Sequence, residues 1–243
     1  MKDHQDAFGR EIYDHLKSKG GFEIVERDDS YITTSYGPPA YFARFKDWPL
    51  HQRKAMRHAR GKVLDIGCGA GRVSLHLQRK GLDVVGIDNS PLAVKVCKLR
   101  GLKKAYMLPI AQVRPGLGKF DTFIMMGNNF GLFENFTKAR RLLRRFRTMS
   151  SDGARIIAES LDPHQTTEPA HMAYQRRNRR RGRMPGQIRI RVRYKQYATP
   201  WFDYLLVSEE EMKKILKGTG WRLARVFPGK GGRYAVLIEK EML

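Results

Sequence analysis

Residues 63–71 read VLDIGCGAG, an apolar run carrying an acid at Asp65 and then three glycines, Gly67, Gly69 and Gly71, alternating with other residues. An apolar run bounded by glycines predicts a buried strand ending in a tight loop, and the pattern from Val73 to Leu77 predicts a helix after it. Strand, glycine loop and helix together form a cradle for a nucleotide-like ligand. The glycines remove side chains where the ligand touches backbone, and free N–H groups at the helix start favour its anionic part.

A dinucleotide fingerprint has the form GxGxxG, with the third glycine packing helix on strand. Here Arg72 occupies that third position, and the spacing is D-x-G-x-G-x-G. This resembles the first motif of the class I S-adenosylmethionine-dependent methyltransferases. The next signature of that family, an acid ending the second strand, is met in LDVVGIDNS by Asp88, after Val84, Val85 and Ile87. A carboxylate there accepts both ribose hydroxyls and repels a ribose phosphate, which favours adenosine or an unphosphorylated dinucleotide ribose over NADP. The resemblance implies an α/β fold: a seven-stranded, doubly wound, Rossmann-like sheet. It implies S-adenosyl-L-methionine as cofactor and a methyltransferase activity.

The length of 243 residues suits one α/β domain with additions. No apolar run reaches the roughly 20 residues needed to span a bilayer, and MKDHQDAF lacks a signal peptide's apolar core. A cytoplasmic protein without membrane contact is expected. The two cysteines, Cys68 and Cys97, lack metal-ligand spacing, so no metal site is expected. The formal net charge is +23, and the segment Arg176–Arg193 holds nine arginines and no acid. Such a segment suits either a polyanionic partner such as RNA or plain solvation.

Outward from the motif, Phe8, Ile12 and Leu16 recur at four-residue intervals and predict a helix over His4–Lys19, stopped at Gly20 and Gly21. FEIVERDDSYITTSY alternates like a strand pair, and Pro38 and Pro39 break it. Residues 1–60 thus read as an N-terminal extension, of the kind that folds as a lid over the cofactor in similar proteins. Residues 61–243 read as the methyltransferase domain. Within it, NSPLAVKVCKLRG predicts a helix capped at Asn89 or Ser90 and stopped at Gly101. Strands are predicted at Lys104–Leu108 and Phe120–Met126, then a helix over Glu134–Met149 whose arginines face solvent. ARIIAES, after a turn at Asp152 and Gly153, reads as the fifth strand.

Ser208 and Glu211 form a capping-box pattern before another helix, and WRLARVF and RYAVLIEK form a closing hairpin. That hairpin matches the antiparallel seventh strand of the family. Residues 161–207 are an insertion after the fifth strand, in which QIRIRVRY alternates as a half-buried strand and TPWFDYLLV returns beside it as a β-hairpin. RRNRRRGRMPG, ahead of it, is expected to be poorly ordered. In similar enzymes such an insertion covers the substrate.

The resemblance places cofactor contacts on Asp65, Ile66, Gly67, Cys68, Gly69 and Gly71, with Asp88 at the ribose and Asn89 at the adenine edge. Ile110 and Ala111, after the third strand, cover the adenine but lack the acid many relatives carry there. Met126, Gly127 and Asn128 end the fourth strand, where family members present residues to the methyl acceptor. The acid or Asn, Pro-Pro and aromatic signature of base-directed amino methyltransferases is missing here, and neither cysteine stands where a C5 nucleophile is needed. No catalytic residue is singled out; Glu159, Asp162, His164 and His171 are candidate bases. Aromatic side chains at Tyr194, Tyr197, Trp201, Phe202 and Tyr204 suit a pocket wall or a hairpin core. The acceptor is expected to be a small molecule. RNA bound through Arg176–Arg193, or a non-catalytic protein that binds S-adenosylmethionine, are the alternatives, and the oligomeric state is open.

Overall fold

The structure, a computed structural model, describes residues 2–35 and 37–241; Tyr36, the last residue of FEIVERDDSYITTSY, lies outside them. In chain order the elements are α1 (Ala7–Leu16), β1 (Ile24–Arg27), β2 (Ile32–Thr34), α2 (Pro38–Phe42), α3 (Leu50–Met56), β3 (Lys62–Ile66), α4 (Arg72–Arg79), β4 (Asp83–Asp88), α5 (Pro91–Leu99) and β5 (Lys104–Met107). They continue with β6 (Phe120–Met125), α6 (Phe136–Thr148), β7 (Ser150–Leu161), α7 (Pro169–Arg180), β8 (Gln187–Tyr194), β9 (Tyr197–Ala198), β10 (Phe202–Leu205), α8 (Glu209–Leu216), β11 (Trp221–Pro228) and β12 (Arg233–Lys240).

The main sheet has seven strands in the order β11-β12-β7-β6-β3-β4-β5. β4 and β5 run parallel, as do β6 and β7, whereas β12 is antiparallel to both β7 and β11. The expected seven-stranded α/β architecture, with its antiparallel closing strand, is therefore present. The fifth strand starts earlier than its sequence suggests. Ser150 pairs with Phe120 and Arg155 with Thr122, so the Asp152-Gly153 turn is absorbed as an irregularity within β7.

A second sheet has the order β10-β8-β1-β2, with β9 on β8. β8 pairs antiparallel with β9, through Tyr194 and Tyr197, and with β1, through Val192 and Val25. QIRIRVRY is thus more than one arm of an inserted hairpin, because it also takes a strand of the N-terminal segment as neighbour. Alternation explains the pairing. Arg191 and Arg193 lie on one face, and Arg191 grips Glu26 with two hydrogen bonds of 2.8 and 3.0 Å.

The chain divides into two compact units: residues 1–48, 64–113 and 189–202, and residues 49–63, 114–188 and 203–243. In the first, α1 packs on α5, with Ile12 against Ala70, Ala93 and Val96. The Asp6 carboxylate caps α1 by accepting from Gly9 N at 3.0 Å and also accepts from Leu92 N at 3.1 Å. In the second, the Phe123 and Phe146 rings stack at 4.9 Å, and Trp221 Nε1 donates to Leu143 O at 2.8 Å. The arginines of α6 are not all merely solvated. Arg140 donates to the Ile215 and Lys217 carbonyls and Arg147 to that of Gly220, which ties α6 to the end of α8 and the start of β11.

RRNRRRGRMPG, expected to be poorly ordered, is folded. Its first part is the last turn of α7, and Gly182 takes the left-handed conformation that ends the helix. Asn178, only 1% exposed, supplies the reason. Its amide donates to Pro185 O at 3.0 Å and Gln187 O at 2.7 Å, fastening α7 to the start of β8. No helix among the described residues is long and apolar enough to cross a membrane, and no described group of His, Cys, Asp or Glu is arranged to hold a metal ion.

Asn178→Ala leaves two carbonyls, one buried and one part-buried, without this donor. A stability loss of about 1–3 kcal/mol by chemical denaturation is expected. An unchanged midpoint would show that the insertion is held otherwise.

Candidate functional site

In the first unit β3 delivers the chain into a loop where Gly67, Gly69 and Gly71 have φ of 69°, 54° and 78°. Three left-handed residues in alternation turn the backbone without Cβ strain only if they are glycines. The N–H groups of Gly67 and Cys68 both donate to Ile87 O, at 2.9 and 3.0 Å, which docks the loop on the end of β4. Asp88 holds it from beside. Its Oδ2 accepts from Gly69 N and its Oδ1 from Ser90 N, both at 2.9 Å, leaving further lone pairs on each oxygen.

Asp65 is equally buried and accepts from Ser74 Oγ at 2.5 Å. Burial pushes both carboxyls up, Asp65 and Asp88 alike to about 6, against the lowering effect of their hydrogen bonds. The two cysteines serve packing. Cys97 Sγ lies 3.7 Å from Cys68 Sγ and donates to Gly69 O at 3.1 Å. The contact with Cys97 and burial push the Cys68 thiol up, which does not favour a thiolate at Cys68. Ile66 and Cys68 are buried, Asn89 is exposed, and Ile110 and Ala111 form a short 3-10 turn after β5. A Cβ on Gly69 would stand 3.5 Å from the Phe8 ring, so α1 lies over the glycine loop.

In the second unit β6 ends at Met125; Met126, which follows, is buried, and the chain turns through Gly127 and Asn128 with φ of 72° and 63°. A non-glycine in the left-handed region is a strained position held by its surroundings. Glu159, 2% exposed near the end of β7, supplies much of that hold. It accepts from Gly127 N at 2.7 Å, from Gln52 Nε2 at 2.9 and 3.0 Å, and pairs with His51 Nε2 at 2.8 Å. Burial alone raises a carboxyl, but the hydrogen bonds from His51 and Gln52 outweigh it and hold Glu159 below the usual range. The Tyr204 hydroxyl donates to Asn128 O at 2.6 Å. His51 is pressed onto Gly229, where a Cβ would come within 2.7 Å of Nδ1.

Glu159 was readable as a candidate base; the structure commits its oxygens to backbone and side-chain donors instead. His51 and Gln52 carry no sequence signal, because their partner lies more than 100 positions away. The Oδ1 of Asn128 and the Oε1 of Gln52 are buried without a hydrogen-bond partner. Elsewhere in this unit His164 contacts Glu211 at 3.3 Å and His171 contacts Thr166 at 3.3 Å, while the Asp162 carboxylate accepts from His164 N. His164, Thr166, Met172, Gln175, Arg176 and Arg179 line a cavity of about 290 Å³.

Across its whole length the fold superposes on a S-adenosylmethionine-dependent methyltransferase from Bacteroides fragilis, solved in complex with S-adenosyl-L-homocysteine. The TM-score is 0.84, at 24% identity, covering 100% of this chain and 98% of that one. Residues 63–153, from β3 into β7, match the family described as a methyltransferase domain. That segment matches a methyltransferase domain, and the fold is the one these S-adenosylmethionine-dependent methyltransferases share. Among curated methyltransferases, the magnesium-protoporphyrin O-methyltransferase of Rhodobacter capsulatus is 37% identical over 71 residues, 27% of this chain and 31% of that protein. The ubiquinone biosynthesis O-methyltransferase of Xanthomonas euvesicatoria is 28% identical over 112 residues, 43% of this chain and 44% of that protein. The chain therefore spans less than half the length of these curated methyltransferases. The CcbJ methyltransferase of Streptomyces caelestis shares the fold at a TM-score of 0.59 and 14% identity, covering 84% of this chain and 98% of that one.

At Gly71 a Cβ would both occupy the left-handed region and meet Cys97 Sγ at 3.0 Å. Gly71→Ala is expected to lower stability by about 1–2 kcal/mol in denaturant titration. Wild-type stability in that variant would show that the loop adopts another conformation.

Proposed function

We propose that this methyltransferase moves the methyl group of S-adenosylmethionine onto a small-molecule acceptor. The observation that carries the reading is Asp88: a buried carboxylate, held by Gly69 N and Ser90 N, at the rim of a loop made of left-handed glycines. That arrangement suits an adenosine ribose, each oxygen keeping a lone pair for one hydroxyl. Asp65, Ile66, Gly67, Cys68, Gly69 and Gly71 are assigned to the methionine side, and Asn89, Ile110 and Ala111 to the adenine. α1, with Phe8 over Gly69, acts as the lid. In the second unit Met126, Gly127 and Asn128 keep their assignment to the ligand-facing end of the fourth strand, and Glu159 fixes their geometry.

The sulfonium of the cofactor is already an activated electrophile, so the protein's task is to position donor and acceptor and to exclude water. A small acceptor is supported by the names of the relatives, which refer to a porphyrin and to ubiquinone biosynthesis.

Asp88→Ala is expected to weaken S-adenosylhomocysteine binding at least tenfold by calorimetry while circular dichroism stays native. Absence of binding by the native protein would overturn the reading, as would undiminished binding by the variant. The pH dependence has a defined sign. Asp65 and Asp88 bind protons below about 6 and lose the charge that attracts hydroxyl and ammonium donors, so cofactor affinity is expected to fall as pH drops through 6. Without ligand the same upward shifts oppose folding: stability declines as the pH rises from about 4, the unfolded value, to about 6. Calorimetric titrations between pH 5 and pH 8 check the first trend, on about the scale set by those values; a flat profile would contradict it.

A further inference from the structure

The arginine-rich segment that begins at Arg176 has no part in the proposed methyl transfer, yet two of its arginines wall a cavity. On α7, Met172, Gln175, Arg176 and Arg179 recur at spacings of three and four and so share one helix face. That face and the loop after β7, through His164 and Thr166, enclose a cavity of about 290 Å³. Its walls are tied together. Gln175, 8% exposed, donates from Nε2 to Pro163 O at 2.5 Å, which binds the helix face to the loop. Arg179 Nη2 stands 3.5 Å from His164 Nδ1, and His164 Nε2 stands 3.3 Å from Glu211 Oε1. With Nδ1 accepting from Arg179, Nε2 carries the proton and donates to Glu211.

The carboxylates of this region are engaged elsewhere. Glu211 accepts from Ser208 N as well as meeting His164, Asp162 accepts from His164 N, and Glu168 caps the start of α7 at Ala170 N. Among the described residues no carboxylate stands within ion-pair distance of Arg176 or Arg179. The adjacent Arg177 instead lies over the Tyr174 ring, at 4.5 Å. Two guanidinium groups on one helix face present planar N–H forks, which match the paired oxygens of a carboxylate or a phosphate. Met172, 39% exposed, adds an apolar wall. The volume decides the size of the ligand: pockets for small molecules begin at roughly 300 Å³, so the space suits one anionic group on a small carbon frame and not a stretch of nucleic acid. The cavity also lies just past the carboxyl end of β7, and open α/β sheets take their ligands outside the carboxyl ends of their strands.

We propose that Arg176 and Arg179, with Met172 beside them, form a binding site for a small anionic molecule that carries a carboxylate or a phosphate group. The arginines receive the anionic oxygens, and Met172 packs against the carbon frame. The site goes beyond the proposed methyl transfer and does not rest on it, because all of its residues belong to the second unit, whereas Asp88 and the glycine loop belong to the first.

The test titrates the full chain at near-physiological salt and reads binding by calorimetry. The probes are inorganic phosphate, benzoate and phenyl phosphate, with benzamide and phenol as uncharged counterparts and a short single-stranded RNA as a polyanion. The native protein is expected to bind an anion of this set and neither uncharged counterpart, and Arg176→Gln combined with Arg179→Gln to weaken that binding about tenfold or more. Removal of two charges elsewhere, by Arg141→Gln with Arg144→Gln on the exposed side of α6, is expected to leave the affinity within about twofold. Should the α7 pair lose its native circular dichroism, Met172→Glu carries the test with the same expected loss, since it keeps both arginines and gives the cavity a carboxylate of its own. Binding of benzoate alone assigns the site to carboxylates, and binding of inorganic phosphate and phenyl phosphate alone assigns it to phosphates; either supports it, as does binding of both. The site is overturned if no small anion binds the native protein, if benzamide or phenol binds as well as the anions, if the α7 pair binds like the native protein, if the α6 pair loses as much affinity as the α7 pair, or if RNA alone binds.

Discussion

One carboxylate organises the half of the molecule that carries the glycine loop. Asp88 ends β4, accepts from Gly69 N on one oxygen and from Ser90 N on the other, and so binds the loop after β3 to the turn that begins α5. Its burial is costly, as the rise to about 6 shows, and the two backbone donors only partly offset it. In the proposed function its remaining lone pairs meet the ribose, which accounts for keeping a carboxylate there. The same turn carries Ser90, which caps α5, and α5 in turn receives the Asp6 carboxylate of the N-terminal segment at Leu92 N. The glycine loop, α5 and α1 are therefore linked through backbone donors.

The second unit repeats the device with Glu159. There too a buried acid near a strand end collects backbone and side-chain donors and fixes a turn, at Gly127 and Asn128, whose backbone is strained. The two acids differ in sign of shift. Glu159 has enough donors, from His51 and Gln52, to be held below its usual range, while Asp88 and Asp65 have too few and rise. A carboxylate saturated by protein donors is a positioning group. One with fewer donors keeps lone pairs that a ligand can use, as proposed for Asp88.

What the amino-acid order made legible follows the range of the interactions. The strand, loop and helix around Asp65–Leu77, the capping of α5 by Ser90 and of α8 by Ser208 with Glu211, and the closing hairpin are set by residues within a few positions of one another. Alternation and glycine spacing report these directly. Partnerships across the chain were hidden: Glu26 with Arg191, His51 with Glu159, and Asn178 with two carbonyls of the following turn have no periodic signature. The disorder expected of RRNRRRGRMPG illustrates the limit. Its composition is that of an unfolded linker, yet a single buried asparagine side chain gives the backbone its partners. The burial of Glu11 on a helix whose exposed face was equally open to it was also beyond the reach of pattern.

The account rests on Asp88 meeting the ribose of S-adenosylmethionine. A crystal structure of the protein with S-adenosylhomocysteine tests this directly. The account predicts both ribose hydroxyls within hydrogen-bond distance, about 2.6–3.0 Å, of the Asp88 carboxylate, with the glycine loop backbone against the methionine portion. A ligand seated with its ribose away from Asp88, or well-ordered crystals that take up none at saturating concentration, would contradict it.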